Sequence, residues 1–197
     1  LGRCLSDQLK RADAIEASRK ALTIYQRLGE DFLTANVANE IGYRFWHLGE
    51  YDSALVYYHR SLALRENLPN KRNIARTVNN IGVIHYQLGD FKNTLKYYFR
   101  ALEIQQELDN TFGISLTLSN IGKTFQDWGK YEDAHYHFNE ALALAQSIND
   151  YGAIGYSYNN IGSNFAQMGQ HDSALVNYEK SLESYSQIDD LEGIILN

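Results

Sequence analysis

Proline, cysteine and methionine each occur once in these 197 residues. The lone Cys4 has no partner for an internal disulfide, so the fold does not rest on an oxidising compartment, and cysteine usage leaves the location open. No stretch approaches the ~18 uninterrupted apolar residues of a membrane span. The opening Leu1-Gly2-Arg3-Cys4 also lacks the basic-then-apolar pattern of a secretory leader. The stretch is expected to be soluble, cytoplasmic or periplasmic, with no membrane contact. A basic excess is missing too: 18 Lys and Arg face 24 Asp and Glu, scattered along the chain, for a net charge of −6. No stripe of cations is available to neutralise a phosphate backbone, which argues against nucleic acid as a partner.

Catalytic signatures are equally sparse. No Gly-x-Gly-x-x-Gly, Walker loop or Gly-x-Ser-x-Gly occurs. His135 and His137 stand two apart, so a helix points them in different directions, and neither belongs to a second pair at metal-ligand spacing. Carboxylate pairs such as Asp189-Asp190 have a capping explanation. No enzyme activity, metal or cofactor is expected. What remains is globular: 44% hydrophobic and 21% charged residues, enough to bury a core.

The chain repeats itself every 40 residues. Gly42, Gly82, Gly122 and Gly162 each follow an isoleucine, and Gly49, Gly89, Gly129 and Gly169 keep the same period. So do Leu62, Leu102, Leu142 and Leu182, and the aromatics Tyr58, Tyr98, Phe138 and Tyr178. Four series in one register define a repeat protein. Within a unit, Ala54, Leu55, Tyr58, Ser61 and Leu62 follow helical spacing, as do Val37, Ala38, Ile41 and Phe45. Each unit is therefore two amphipathic helices. Glycine closes the first at the Gly49-Glu50-Tyr51 step and its equivalents. Asp109-Asn110, Asn149-Asp150 and Asp189-Asp190 supply caps between units, where Pro69 also stands.

This pattern predicts first helices near 31–48, 71–88, 111–128 and 151–168, and second helices near 51–67, 91–108, 131–148 and 171–188. Four full repeats, 31–70, 71–110, 111–150 and 151–190, form a single array over 1–197. Residues 1–30 are a partial repeat, with a second helix over 12–28, and 191–197 start a further one. A chain without an initial Met that begins and ends inside a repeat is expected to be a piece of a longer protein.

The spacing within the unit names the repeat. Asn159-Asn160-Ile161-Gly162, then Phe165, Gly169, Ala174, Tyr178, Ser181 and Leu182, resemble the tetratricopeptide repeat. The twelve-residue gap from first glycine to alanine recurs in Gly42/Ala54, Gly122/Ala134 and Gly162/Ala174. Small residues belong where neighbouring helices cross closely, and aromatics fill the space between. Thr94, His85 and His171 depart from the pattern. No proline stands at Glu66, Gln106, Gln146 or Ser186, so the second helix is expected to run on. This long unit is similar to the repeats of kinesin light chains and of bacterial sensors and regulators. The resemblance implies an all-α, right-handed superhelical α-solenoid of antiparallel helix hairpins.

It also implies that ligands are read by a concave groove lined by first helices. Mapped onto this chain, the peptide-binding groove comprises Asn36, Asn39, Tyr43, Trp46 and His47; Arg76, Asn79, Val83, Tyr86 and Gln87; Leu116, Ser119, Lys123, Gln126 and Asp127; and Tyr156, Asn159, Ser163, Ala166 and Gln167. The ladder Asn39, Asn79, Ser119, Asn159 offers carboxamides that both donate to and accept from an extended backbone. Asn80, Asn120 and Asn160 are expected to brace helices. Tyr43, Trp46 and Tyr86 offer large aromatic contact area. The function expected is a non-catalytic scaffold for a protein or peptide, the sensing or docking part of a bacterial signalling protein. The alternative is a module that dimerises through its end helices.

Overall fold

The computed structural model describes residues 2–188, with side chains from residue 13 onward. The expected helix over 191–197 and the Asp189-Asp190 cap lie outside the described residues. Among these, nine helices follow one another: α1 (Gly2–Arg27), α2 (Asp31–His47), α3 (Tyr51–Arg65), α4 (Lys71–Gln87), α5 (Phe91–Glu107), α6 (Thr111–Asp127), α7 (Tyr131–Ser147), α8 (Tyr151–Gln167) and α9 (His171–Ser186). None of them is long and apolar enough to cross a membrane.

Two differences from the expected boundaries have local causes. α1 starts at Gly2 where the periodicity places a helix from residue 12. The turn glycine of later repeats has Leu9 as its counterpart 40 residues earlier, so nothing interrupts the helix there. α3 stops at Arg65, whereas α5 and α7 reach Glu107 and Ser147. Pro69 is responsible, because a proline disfavours helical backbone in the residue before it. The other second helices do run through the positions where proline is missing.

The turns are built alike. Gly49 takes φ 74°, and its amide bonds to the Trp46 carbonyl at 2.9 Å while the Glu50 amide reaches Phe45 at 3.0 Å. This two-bond lock satisfies carbonyls that a helix end leaves open. Between repeats, Asp109 (φ 49°) and Asn149 (φ 53°) occupy the glycine's place, as short polar side chains tolerate the left-handed region. The next residue caps the following helix: Asn110 Oδ1 accepts from the Gly113 amide at 3.2 Å, and Asp150 Oδ1 from Ala153 at 2.9 Å. Asn70 caps α4 through the Asn73 amide.

The chain divides into two compact units, Leu1–Asp90 and Phe91–Asn197. In the first, α1 packs on α2, α2 on α3 and α3 on α4. Ala35, Ala38, Ile41, Ala54, Tyr58 and Leu62 are buried there. In the second, successive helices from α5 to α9 pack on one another and α6 also meets α8. Its core is Ala134, Phe138, Leu142, Ala145, Ile154 and Ile161, flanked by Phe125 and Phe165.

Close crossings need the small residues. A Cβ on Gly42 would lie 2.9 Å from the Tyr58 ring, one on Gly122 2.6 Å from Phe138, and one on Gly162 2.8 Å from Tyr178. Gly82, Ala54, Ala134 and Ala174 are buried as well. A hydroxyl ties the hairpin at its other crossing: Ser61 Oγ donates to the Ala35 carbonyl and Ser181 Oγ to Gly155, each at 2.7 Å. In the third repeat the roles exchange helices, with Ser115 Oγ donating to Ala141 at 2.9 Å.

Candidate functional site

In the first unit the expected groove residues fall into two groups. Tyr43, Trp46 and His47 form an aromatic cluster at the end of α2, with ring centroids 4.3 Å apart for Tyr43 and His47 and 5.6 Å for Tyr43 and Trp46. Tyr43 and His47 also line a cavity of about 460 Å³ with Ile15, Glu40 and Arg44. Asn36 and Asn39 are turned to a different task. Asn36 Oδ1 accepts from Arg65 Nη2 at 2.8 Å, and Asn39 Oδ1 accepts from Arg65 Nη1 at 3.4 Å and Thr77 Oγ1 at 3.3 Å. Arg65 Nη1 further donates to the Asn73 carbonyl at 2.9 Å and to the Thr77 hydroxyl. On α4, Arg76 and Gln87 are exposed and Asn79, Val83 and Tyr86 half-buried.

Arg65 is 2% exposed, and its partners are all neutral oxygens. Burial pushes its pKa down to about 10, and the nearby Arg76 adds to the shift. Periodicity placed binding residues on first helices and so passed over this second-helix side chain. A signal was present: positions 65, 105, 145 and 185 read Arg, Gln, Ala and Tyr, so a cation stands where the third and fourth repeats bury Ala145 and Tyr185.

In the second unit several expected contacts are spent within the protein. Lys123 Nζ donates to Gln126 Oε1 and Asp127 Oδ1, both at 2.9 Å, and Gln126 Nε2 reaches Ser163 Oγ at 3.3 Å. This chain ties α6 to α8, and Gln126 is 4% exposed. Asn159, Ser163 and Ala166 are half-buried, Gln167 is exposed, and of the adjacent series Asn160 is buried while Asn80 and Asn120 are half-buried.

Leu116, Ser119 and Tyr156 do come together. With Phe112, Ser115, Asp150, Gly152 and Ala153 they line a pocket of about 310 Å³ between α6 and α8. Phe112, Leu116 and Tyr156 are exposed apolar side chains at its walls, and Ser119 lies at its floor, 2% exposed. Phe112 was not anticipated; it is one helical turn before Leu116 and so shares its face.

Helical hairpins with glycine at the crossing, an aromatic over it and glycine at the turn define a helical-repeat protein, and family profiles say which. The tetratricopeptide repeat matches residues 1–67, 73–147 and 155–188. The chain belongs to the tetratricopeptide-repeat family, and its fold class is the all-α helical-repeat solenoid. It is similar to BtubC (BKLC) from P. vanneervenii, with a TM-score of 0.83 at 20% identity over 93% of this chain and 76% of that one. Aspartyl phosphate phosphatase F from Bacillus subtilis gives 0.85 at 15% identity, covering 98% of this chain and 51% of that one, so the chain spans about half its length. A Rap protein solved in complex with competence and sporulation factor gives 0.76 at 17% identity over 96% of this chain and 53% of that one. At these identities the likeness is one of fold. No curated protein matches the chain in sequence.

Proposed function

We propose that the chain is a protein- or peptide-binding scaffold, the sensing or docking part of a signalling protein, which holds an extended segment of its partner against its first helices. The observation that carries this is the pocket between α6 and α8, where Phe112, Leu116 and Tyr156 stay exposed on helices that bury Leu118, Ile121, Ile154 and Ile161. Exposed aromatic and aliphatic groups beside a pocket are the usual anchors of peptide recognition. The Rap protein in complex with competence and sporulation factor supports the reading by analogy of fold.

The test is selection from a bead-displayed library of random ten-residue peptides. The parent chain should enrich peptides with a large apolar side chain. A variant carrying Leu116→Ser and Tyr156→Ala, shown by circular dichroism to be folded, should lose them. Equal enrichment by both would place binding elsewhere.

Self-association is a second reading with its own observation. Leu175 on α9 is 59% exposed, although its repeat counterpart Leu95 is buried. If α9 pairs two copies, light scattering should show a mass that doubles with concentration, and Leu175→Lys should hold the chain monomeric.

A further inference from the structure

We infer that Arg65 is a positioning residue: its guanidinium is a rigid spacer that holds α2 and α4 in one arrangement without adding to the stability of the fold. The inference concerns the geometry of the scaffold and stands whatever the surface binds.

Arg65 lies on α3, yet the bonds of its guanidinium go to the two helices on which α3 packs. Nη2 donates to Asn36 Oδ1 on α2 at 2.8 Å. Nη1 donates to the Asn73 carbonyl at 2.9 Å and to the Thr77 hydroxyl, both on α4, and more loosely to Asn39 Oδ1 on α2 at 3.4 Å. The two nitrogens belong to one planar, delocalised group and cannot move relative to each other. Acceptors on α2 and α4 are therefore held at a separation that the guanidinium sets. One bond joins these helices without it, from Thr77 Oγ1 to Asn39 Oδ1 at 3.3 Å.

The second unit has the equivalent joint without a spacer. Ala145 stands at the repeat position of Arg65, fully buried, and there α6 meets α8 directly. A methyl group lets neighbouring first helices close on each other, whereas a buried arginine keeps its whole side chain in the joint.

Stability does not account for the arginine. It is 2% exposed, makes no ion pair among the described residues, and its Nε is buried without a hydrogen-bond partner, so neutral oxygens alone offset the desolvation of its charge. Nor do the acceptors need it. Thr77 Oγ1 also donates to the Asn73 carbonyl at 3.0 Å, and Asn36 and Asn39 are half-buried, within reach of water. An apolar side chain of similar volume would strand none of them. What it cannot supply is a bond to each helix at once. Buried polar groups that cost stability are retained in some proteins because they select one packing among several.

The test separates position from stability. In a Cys4→Ser background, spin labels at Asp31→Cys and Lys71→Cys, the exposed first residues of α2 and α4, report the distance between these helices by pulsed electron–electron double resonance. The chain with Arg65 should give one narrow distribution. Arg65→Met should melt at or above the temperature of the parent and still give a distribution that is broader or displaced to shorter distance. Arg65→Gln, which places here the residue found at position 105, keeps one amide but not the fork, and should broaden the distribution too. A broad distribution with Arg65 in place, or a parent-like one in either variant, overturns the inference, because the fork would then not be what positions the helices. Melting of Arg65→Met well below the parent overturns it as well, since the guanidinium would then hold the fold together instead of selecting its geometry.

Discussion

At the residue scale the repeat is held by side-chain size. A Cβ at Gly122 would sit 2.6 Å from Phe138 Cδ1, inside the distance at which carbons repel, and the ring is fully buried with no room to move away. Gly122→Ala should cost on the order of 1–3 kcal/mol in urea denaturation, and Gly122→Leu at least as much, because an overpacked core forces side chains off their rotamers. Adding Phe138→Leu should recover part of the loss. Gly129 is a control of the opposite kind: open space surrounds its missing Cβ, and any cost of Gly129→Ala comes from φ 77° alone. Parent-like stability of Gly122→Ala would show that the two helices do not cross there as described.

At the scale of the element, one residue does two jobs at the junctions before α6 and α8. Asn110 closes α5 by donating its amide to the Gln105 carbonyl at 3.1 Å and opens α6 by accepting from the Gly113 amide. Asn110→Ala removes the second bond and should lower stability by about 1 kcal/mol, the usual worth of an N-cap. Asp109 and Asn149 sit at positive φ with a Cβ in the way. Asp109→Gly and Asn149→Gly relieve that strain against a loss of chain stiffness, and together should raise the unfolding free energy read from urea denaturation slightly, by up to about 1 kcal/mol. A drop on either substitution would mean that the side chain contributes more than the backbone conformation costs.

Over the whole molecule, stability should depend on two imidazoles, one in each compact unit. Burial pulls the pKa of His59 below its ordinary 6.5, and the neighbouring His85 pulls it further. His137 is lowered by burial, partly offset by Glu140 and Asp133, and stacks on Phe125 with ring centroids 5.5 Å apart. A base whose folded pKa is depressed takes up its proton more readily when unfolded. Stability contributed by the neutral form is therefore present above about 6.5 and lost as pH falls below it. Melting temperature should drop between about pH 7 and pH 5, and His137→Phe should flatten part of that slope. A flat profile in the parent would mean that neither ring is held neutral by the fold.

The series of Gly42, Gly49, Tyr58 and Leu62 with their 40-residue echoes determined the helices, their turns and the family. A repeat puts the same local interactions at each copy, and local interactions are written in spacing. α2 to α9 accordingly lie within two residues of the positions that periodicity predicts. The candidate surface was legible only where it too follows the repeat, as at Leu116, Ser119 and Tyr156. What Asn36 and Asn39 present, and how Lys123, Gln126 and Ser163 occupy one another, were decided by tertiary structure. Arg65 meets its acceptors across three helices up to 29 residues away in sequence, and Gln126 meets Ser163 across 37. Periodicity says which face a side chain is on; a hydrogen bond depends on which neighbour shares that face, and only packing brings the neighbour there.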